Sequence, residues 1–407
     1  MNRQRNYNLF TFFTLYIAQS VPMAFFAAVL PILMRQGSYS LTAIALVKLI
    51  KIPWLVKFLW SPLVDRHTNT VLDYKRWIVV SEILYALVIL VVALFHIGES
   101  PFLVIGLILM AFVMSATQDI ATDALAARSF ESQDRGLLNS MQSMGSFAGS
   151  MVGSGVLLVL FHKVGWNYML PAVALFVLIA LVPLLQNRGL KLQESPSLAR
   201  PKAKPKDMLT FFTQKKIYRH ILFLLLFYTG FIGILSNLRP MMVDFGYEME
   251  GIGFIVGIFG TSVGIVGSFL SGWGIKRIGR YWMRRIVALM ILLTPLYFLL
   301  SYRTGLLSSS LPLLYVGIAL VWGTYGMAST LVYTTSMDLV REGREGTDFT
   351  LQIVLTHLSS MVFSIACSRI ADVKGYSGLF AVEVALALLS GTYVLFYSPS
   401  KIKSYGS

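Results

Sequence analysis

MSATQDIATDALAARSFESQDRGLLNSMQ, residues Met114 to Gln142, decides how the rest of the chain is read. It closes a long apolar run with two carboxylates, Asp119 and Asp123, one helical turn apart. Residues at i and i+4 share one helix face. When such a run crosses a membrane, both acids lie inside it, where ionisable groups are costly and mark function. Asp134-Arg135-Gly136 then makes a short polar connection into the next apolar run. The expectation is a cavity built by the other helices around the aspartate face.

The composition supports a membrane setting. The 407 residues are 56% hydrophobic and only 13% charged, whereas soluble chains carry about 25% charged residues. Apolar runs recur along the whole length, so an all-α polytopic membrane protein is predicted. The N-terminal MNRQRNYNLFTFF leads into an apolar run reaching Leu33 with no small-residue cleavage site, which reads as a first membrane helix and not a signal peptide. The formal charge of +15 is not accompanied by an aromatic-interleaved basic patch, so no nucleic-acid partner is expected. The single cysteine, Cys367, excludes an intrachain disulfide and a cysteine metal cluster. No P-loop, HExxH, G-x-S-x-G or CxxC occurs, and the five histidines are scattered. Neither an enzyme, a cofactor nor a metal site is expected.

Segments of about 20 apolar residues fall at roughly 9–34, 41–63, 76–96, 101–127, 137–161 and 166–186, and again at roughly 217–240, 250–275, 282–302, 311–337, 347–370 and 376–398. The predicted organisation is a six-helix bundle over 1–186, a proline- and lysine-rich linker over 187–216, and a second six-helix bundle over 217–407. Lysine and arginine concentrate in alternate loops, among them Arg66, Lys75, Arg76, Arg128, Arg277 and Arg341. By the positive-inside rule both termini are placed in the cytoplasm of a bacterial-type inner membrane. The halves also echo each other. SPLVDR (Ser61–Arg66) and GWGIKRIGR (Gly272–Arg280) superpose at an offset of 211, and Gly136-x5-Gln142 matches Gly346-x5-Gln352 at 210. Two matches at nearly one offset argue for a duplicated unit, as transporters commonly have.

GWGIKRIGR resembles the G-x-x-x-D-R-x-G-R loop of the major facilitator superfamily. The first copy keeps Asp65-Arg66 but has Ser61 for glycine, and the second has Lys276 in place of the aspartate. The resemblance implies a major-facilitator fold with about twelve helices and a gating role for Asp65, Arg66, Lys276, Arg277 and Arg280. Ile52–Arg66, Thr117–Ser129 and Glu345–Gln352 are similar to the AmpG-type permease group. That group implies uptake of a bulky polar or anionic solute, a muropeptide or a ferric siderophore. A drug or metabolite antiporter is the rival within the superfamily, and a non-transporting sensor the rival outside it.

Asp119 and Asp123 are the first candidates for proton coupling, with His357 a second site because histidine titrates near neutrality. Lys48 and Lys51 share a face of the second helix and suit either an anionic substrate or internal pairing with the aspartates. Lys57, nearer the helix end, is expected to snorkel. Tyr16, Gln19, Gln118, Tyr228, Trp322 and Tyr325, with the repeat-related Gln142 and Gln352, are candidate substrate contacts. Asp338 beside Arg341 and Arg344 suggests a salt-bridged gate. Glu82 and Glu383 are expected to be paired at the periphery. Glycines every four residues in the fifth and eighth helices predict close backbone approach. The partners implied are a small-molecule substrate, protons and the lipid bilayer, acting on a monomer.

Overall fold

The computed structural model describes residues 2–37, 39, 47–97, 99–193 and 201–397. The chain begins with α1, Asn2–Gln36, which carries Pro22 and Pro31 in its interior. The second apolar segment, expected as one helix, is not one. It consists of a 3-10 turn Val47–Lys51, α2 Ile52–Val56, a second 3-10 turn Lys57–Leu59 and α3 Ser61–Arg66. Pro53 and Pro62 each sit in the first turn of a short helix, where proline's missing N–H costs nothing but interrupts the turn before it.

Helix α4, Val71–Val92, opens on a capping box between Thr70 and Asp73. Helix α5, Pro101–Ser129, carries the two aspartates, and every residue from Ser115 to Ala127 is buried. A helix enclosed on all faces has no side on which to hide an acid from its neighbours. Helix α6, Arg135–Met151, runs through a π-helical stretch Val152–Val156 into α7, Leu157–Val164. Helices α8, Trp166–Ala180, and α9, Val182–Gln186, follow.

The linker ends in the short α10, Asp207–Phe212. The seventh apolar segment is divided into α11, Ile217–Leu226, and α12, Ile232–Asp244. Then come α13, Met249–Ile252, a π-helical stretch Gly253–Gly260, and α14, Thr261–Arg303. The chain closes with α15, Leu306–Ser309, α16, Leu311–Met337, and α17, Glu345–Phe396. Among the described residues, seven helices are long and apolar enough to cross a membrane. Two of these, α14 and α17, turn at Gly279 (φ 79°) and Gly375 (φ 67°) and so each hold two of the expected segments. Positive φ at these turns suits glycine. Phe102 and Phe396 are more than 80% exposed, as side chains facing lipid would be.

The chain forms two compact units that do not coincide with its sequence halves. The first comprises Met1–Glu131, Gly145–Met208 and Val340–Thr350. The second comprises Ser132–Met144, Leu209–Leu339 and Leu351–Ser407. The first is centred on Phe25, Phe26, Tyr85, Phe112 and Trp166, and the second on Phe223, Phe227, Phe231, Phe298 and Phe380.

The glycine repeat of the fifth segment lies against α1 within the first unit. A Cβ added at Gly149 would stand 2.4 Å from Ser20 Cβ, and one at Gly153 would stand 2.3 Å from the Val21 carbonyl oxygen. In the eighth segment the expectation holds only in part. Gly264 receives Gly326, whose added Cβ would be 2.2 Å from the Gly264 oxygen, but Gly253 and Gly257 face open space. Gly153→Val should therefore cost about 1–3 kcal/mol by overpacking, whereas Gly257→Ala should leave the melting temperature in detergent unchanged. Equal melting shifts for the two variants would contradict this packing.

Candidate functional site

The interrupted second segment positions the site. Because 3-10 turns bracket α2, Lys57 is turned inward and is only 3% exposed. Its ammonium forms a salt bridge with Asp119 Oδ2 and lies 4.9 Å from the centre of the Trp54 ring. Lys57 does not snorkel; it is the internal partner of the buried acid. Gln19 Nε2 donates to Asp119 Oδ1 at 2.9 Å, and Tyr16 OH donates to Asp123 Oδ1 at 2.8 Å. Asp119 and Lys57 both act electrostatically on Asp123. Trp60 Nε1 donates to Thr117 Oγ1 at 3.0 Å and closes one side. The result is one buried cation, two buried carboxyls and two donors from α1, all within the first unit.

Around this cluster several polar groups are buried without a hydrogen-bond partner among the described residues. They are both ends of the Gln118 amide, Gln19 Oε1, Thr122 Oγ1 and Trp54 Nε1. Buried polar atoms are nearly always satisfied, so these are the groups with capacity for a solute or water. Tyr16 and Gln19, expected as substrate contacts, direct their donors at the aspartates. Lys51 is exposed, and the Lys48 side chain lies outside the described residues.

The other expected residues fall elsewhere. Tyr228 donates to Ser329 Oγ at 3.2 Å and forms an aromatic group with Tyr325 and, through it, Trp322 in the second unit. Gln142 is buried in the second unit. Gln352 is engaged by His220, whose Nε2 lies 2.6 Å from its Oε1, and by the Ser336 carbonyl at 3.1 Å. His357 is exposed, and the buried histidine is His220, which also contacts Tyr397 OH at 2.6 Å. His220, in the first turn of an apolar helix, belongs to no motif that marks it in the sequence.

The loop residues form two groups. In the first unit Asp65, two residues past the second apolar segment, accepts from Gly346 N at 3.0 Å, Thr347 N at 2.7 Å and Thr347 Oγ1 at 2.7 Å. It thus caps the first turn of α17, where an anion is favoured. Arg341 pairs with Asp348 at 2.7 Å and Arg344 with Asp207 at 2.8 Å. In the second unit Lys276 pairs with Asp134 at 2.6 Å, and Asp338 is shared by Arg135 and Arg280. Asp338 therefore does not pair with Arg341 or Arg344, the neighbours suggested by sequence. The lysine that departs from the loop pattern meets an acid, so its reversed charge is matched. Arg66 and Arg277 are exposed, and Arg277 stands over the Trp273 ring at 5.7 Å.

Burial, and then the neighbouring Glu345 carboxylate, push Asp65 up to about 7 against the pull of its Thr347 and Gly346 donors. A carboxyl raised in the folded state holds its proton while the unfolded chain has lost it, so its contribution to stability falls as pH rises. Wild type should lose thermal stability between about pH 4 and pH 7 at this site, and Asp65→Asn should flatten that slope. Parallel pH profiles for the two proteins would refute the assignment.

Three comparisons bear on this arrangement. A sequence profile of the Major Facilitator Superfamily matches residues 9–364. A Rickettsia conorii protein carrying the provisional name transporter AmpG 4 is 21% identical over 414 residues, covering 98% of each chain. The anhydromuropeptide permease of Escherichia coli K12 is 23% identical over 383 residues, covering 91% of this chain and 76% of that one. Among solved structures, the human organic anion transporter MFSD10 matches with a TM-score of 0.70 at 15% identity, covering 96% of this chain and 99% of that one. A bacterial homologue of the iron transporter ferroportin, in an outward-facing state, matches with a TM-score of 0.68 at 18% identity, covering 98% and 99%. At these identities the structural matches speak for the fold alone.

Proposed function

The chain belongs to the Major Facilitator Superfamily, a multi-pass membrane transporter family, and we propose that it is a proton-coupled importer of an anionic, muropeptide-like solute working by alternating access. The observation that carries this reading is the buried Lys57–Asp119 pair. Empty, the pair is internally neutral. A proton on Asp119 releases Lys57, and an anionic group of the solute takes the carboxylate's place, so the loaded site is neutral again. Half-loaded states leave one uncompensated buried charge, which is costly. Only the empty and doubly loaded forms then rearrange easily, and this links solute to proton.

Asp123, held by Tyr16, tunes the charge balance beside the exchange. The Gln118 amide, with both ends unengaged, offers a donor and an acceptor to the solute. The muropeptide class draws on the names of the AmpG 4 and anhydromuropeptide permease relatives. The pairs made by Asp65, Lys276 and Asp338 belong, in this reading, to contacts that form and break with each cycle. The protein is taken to act as a monomer in a bacterial-type inner membrane with both termini inside.

Uptake into proteoliposomes, acid outside and negative inside, tests the proposal with an anhydromuropeptide and a ferric siderophore in parallel arms. Wild type should accumulate the muropeptide with the gradient. Asp119→Asn should exchange solute across the membrane but no longer concentrate it. Siderophore accumulation would replace the substrate class, and gradient-driven accumulation by Asp119→Asn would end the coupling scheme.

A further inference from the structure

The turn at Gly279 joins two stretches of α14 that carry the same kinds of side chain. Before the turn, the exposed residues Val266 and Leu270 lead to Trp273, which is 50% exposed, and then to Arg277. After it, Arg285 and the exposed Tyr281 and Trp282 stand ahead of the exposed Ile286 and Leu289. On both sides of the turn an apolar stripe ends in aromatic rings and arginine. The guanidinium of Arg285 lies 4.1 Å from the Tyr281 ring centre and 5.4 Å from that of Trp282. That of Arg277 lies 5.7 Å from the Trp273 ring.

The remaining charges on the turn are accounted for differently. Lys276 and Arg280 pair with Asp134 and Asp338, and Arg284 is buried over the Tyr397 ring at 5.1 Å, while Arg277 and Arg285 have no carboxylate partner among the described residues. Stacking on a ring occupies the face of a guanidinium, and its N–H donors point outward in the plane. A planar fork of that kind matches a phosphate.

We propose that the turn of α14 is a binding site for an anionic phospholipid, with Arg277 and Arg285 on the headgroup phosphate, the three rings at the glycerol level and the apolar stripes along the acyl chains. Before the turn the order of chemistry is the order along the lipid itself, and after it Arg285 follows the rings in sequence but lies over the Tyr281 ring, back toward the turn. Aromatic rings settle at the membrane–water interface, and basic residues there attract anionic lipid. The site is independent of the Lys57–Asp119 cluster, and its test does not depend on transport.

The experiment is native mass spectrometry of the full chain released from nanodiscs holding equal phosphatidylglycerol and phosphatidylcholine with matched acyl chains. Each arginine near the surface favours the anionic lipid roughly fivefold, so wild type should retain phosphatidylglycerol over phosphatidylcholine by about tenfold or more. Arg277→Gln/Arg285→Gln should bring that ratio close to one. Arg76→Gln/Arg188→Gln, which removes two exposed arginines of the first unit, should leave it unchanged. Equal retention of the two lipids by wild type overturns the proposal. So does an equal fall in both double variants, which would mean diffuse attraction to basic loops. Displacement of bound phosphatidylglycerol by millimolar inorganic phosphate would make this a free-anion site and overturn the lipid assignment.

Discussion

Lys57→Met and Asp119→Leu, made singly, should each destabilise the protein by about 3–5 kcal/mol, because each leaves the other charge buried without its salt-bridge partner. Made together they should restore most of the lost melting temperature, since replacing a buried ion pair by apolar residues is often neutral or stabilising. Gradient-driven accumulation should stay absent in all three. A double-mutant cycle on thermal melting in detergent, run beside uptake, reads both results. The contrast is what matters: stability recovers while function does not, because the pair serves the exchange of proton for solute. If the single variants melted with wild type, Lys57 and Asp119 would be reached by water, contrary to their burial at 3% exposure.

Glu383→Ala should be nearly as damaging. The seventh apolar segment is interrupted between Leu226 and Ile232, and the freed backbone donors at the start of α12 need acceptors. Glu383, fully buried in the second unit, supplies them: Gly233 N donates to its Oε1, and Ile234 N lies 3.1 Å from Oε2 and 3.2 Å from Oε1. A buried donor left without an acceptor costs about 1–3 kcal/mol, and inside a bilayer no water replaces the lost oxygen. Removing the carboxylate strands two such donors. Glu383→Gln keeps one acceptor and should fall midway between wild type and alanine in melting temperature. Faster hydrogen exchange at 233 and 234 in the alanine variant would locate the damage. Unchanged exchange there would mean that the cap is dispensable.

Much of this architecture was legible in the chain because a bilayer demands long apolar runs, and those runs are visible without any fold in mind. The interior of α5 was legible for the same reason: Asp119 and Asp123 stand out only against an apolar background. What escaped was local geometry. The second segment reads as one helix from its apolar run, and the way 3-10 turns rotate Lys57 inward, leaving Lys51 exposed, follows from packing that no periodicity encodes. The partner of Asp338 was misplaced because Arg341 and Arg344 are near it in sequence, whereas Arg135 and Arg280 reach it through space. Glu383 was expected to pair with a side chain and instead caps a helix. Glu82 was expected to be paired as well, yet both of its carboxyl oxygens lack partners among the described residues.

The capping of α17 by Asp65 also bears on how the protein is made. Asp65 and its partner Gly346 are 281 residues apart in sequence, and residues Val340–Thr350 belong to the first compact unit. At roughly 5–20 residues per second, the ribosome delivers that segment about 15–60 s after Asp65. Throughout that interval Asp65 is without the Gly346 and Thr347 donors that it accepts from in the finished protein. The first unit is thus finished by a segment of the second half of the chain, and premature release of the nascent protein would leave it open at this corner.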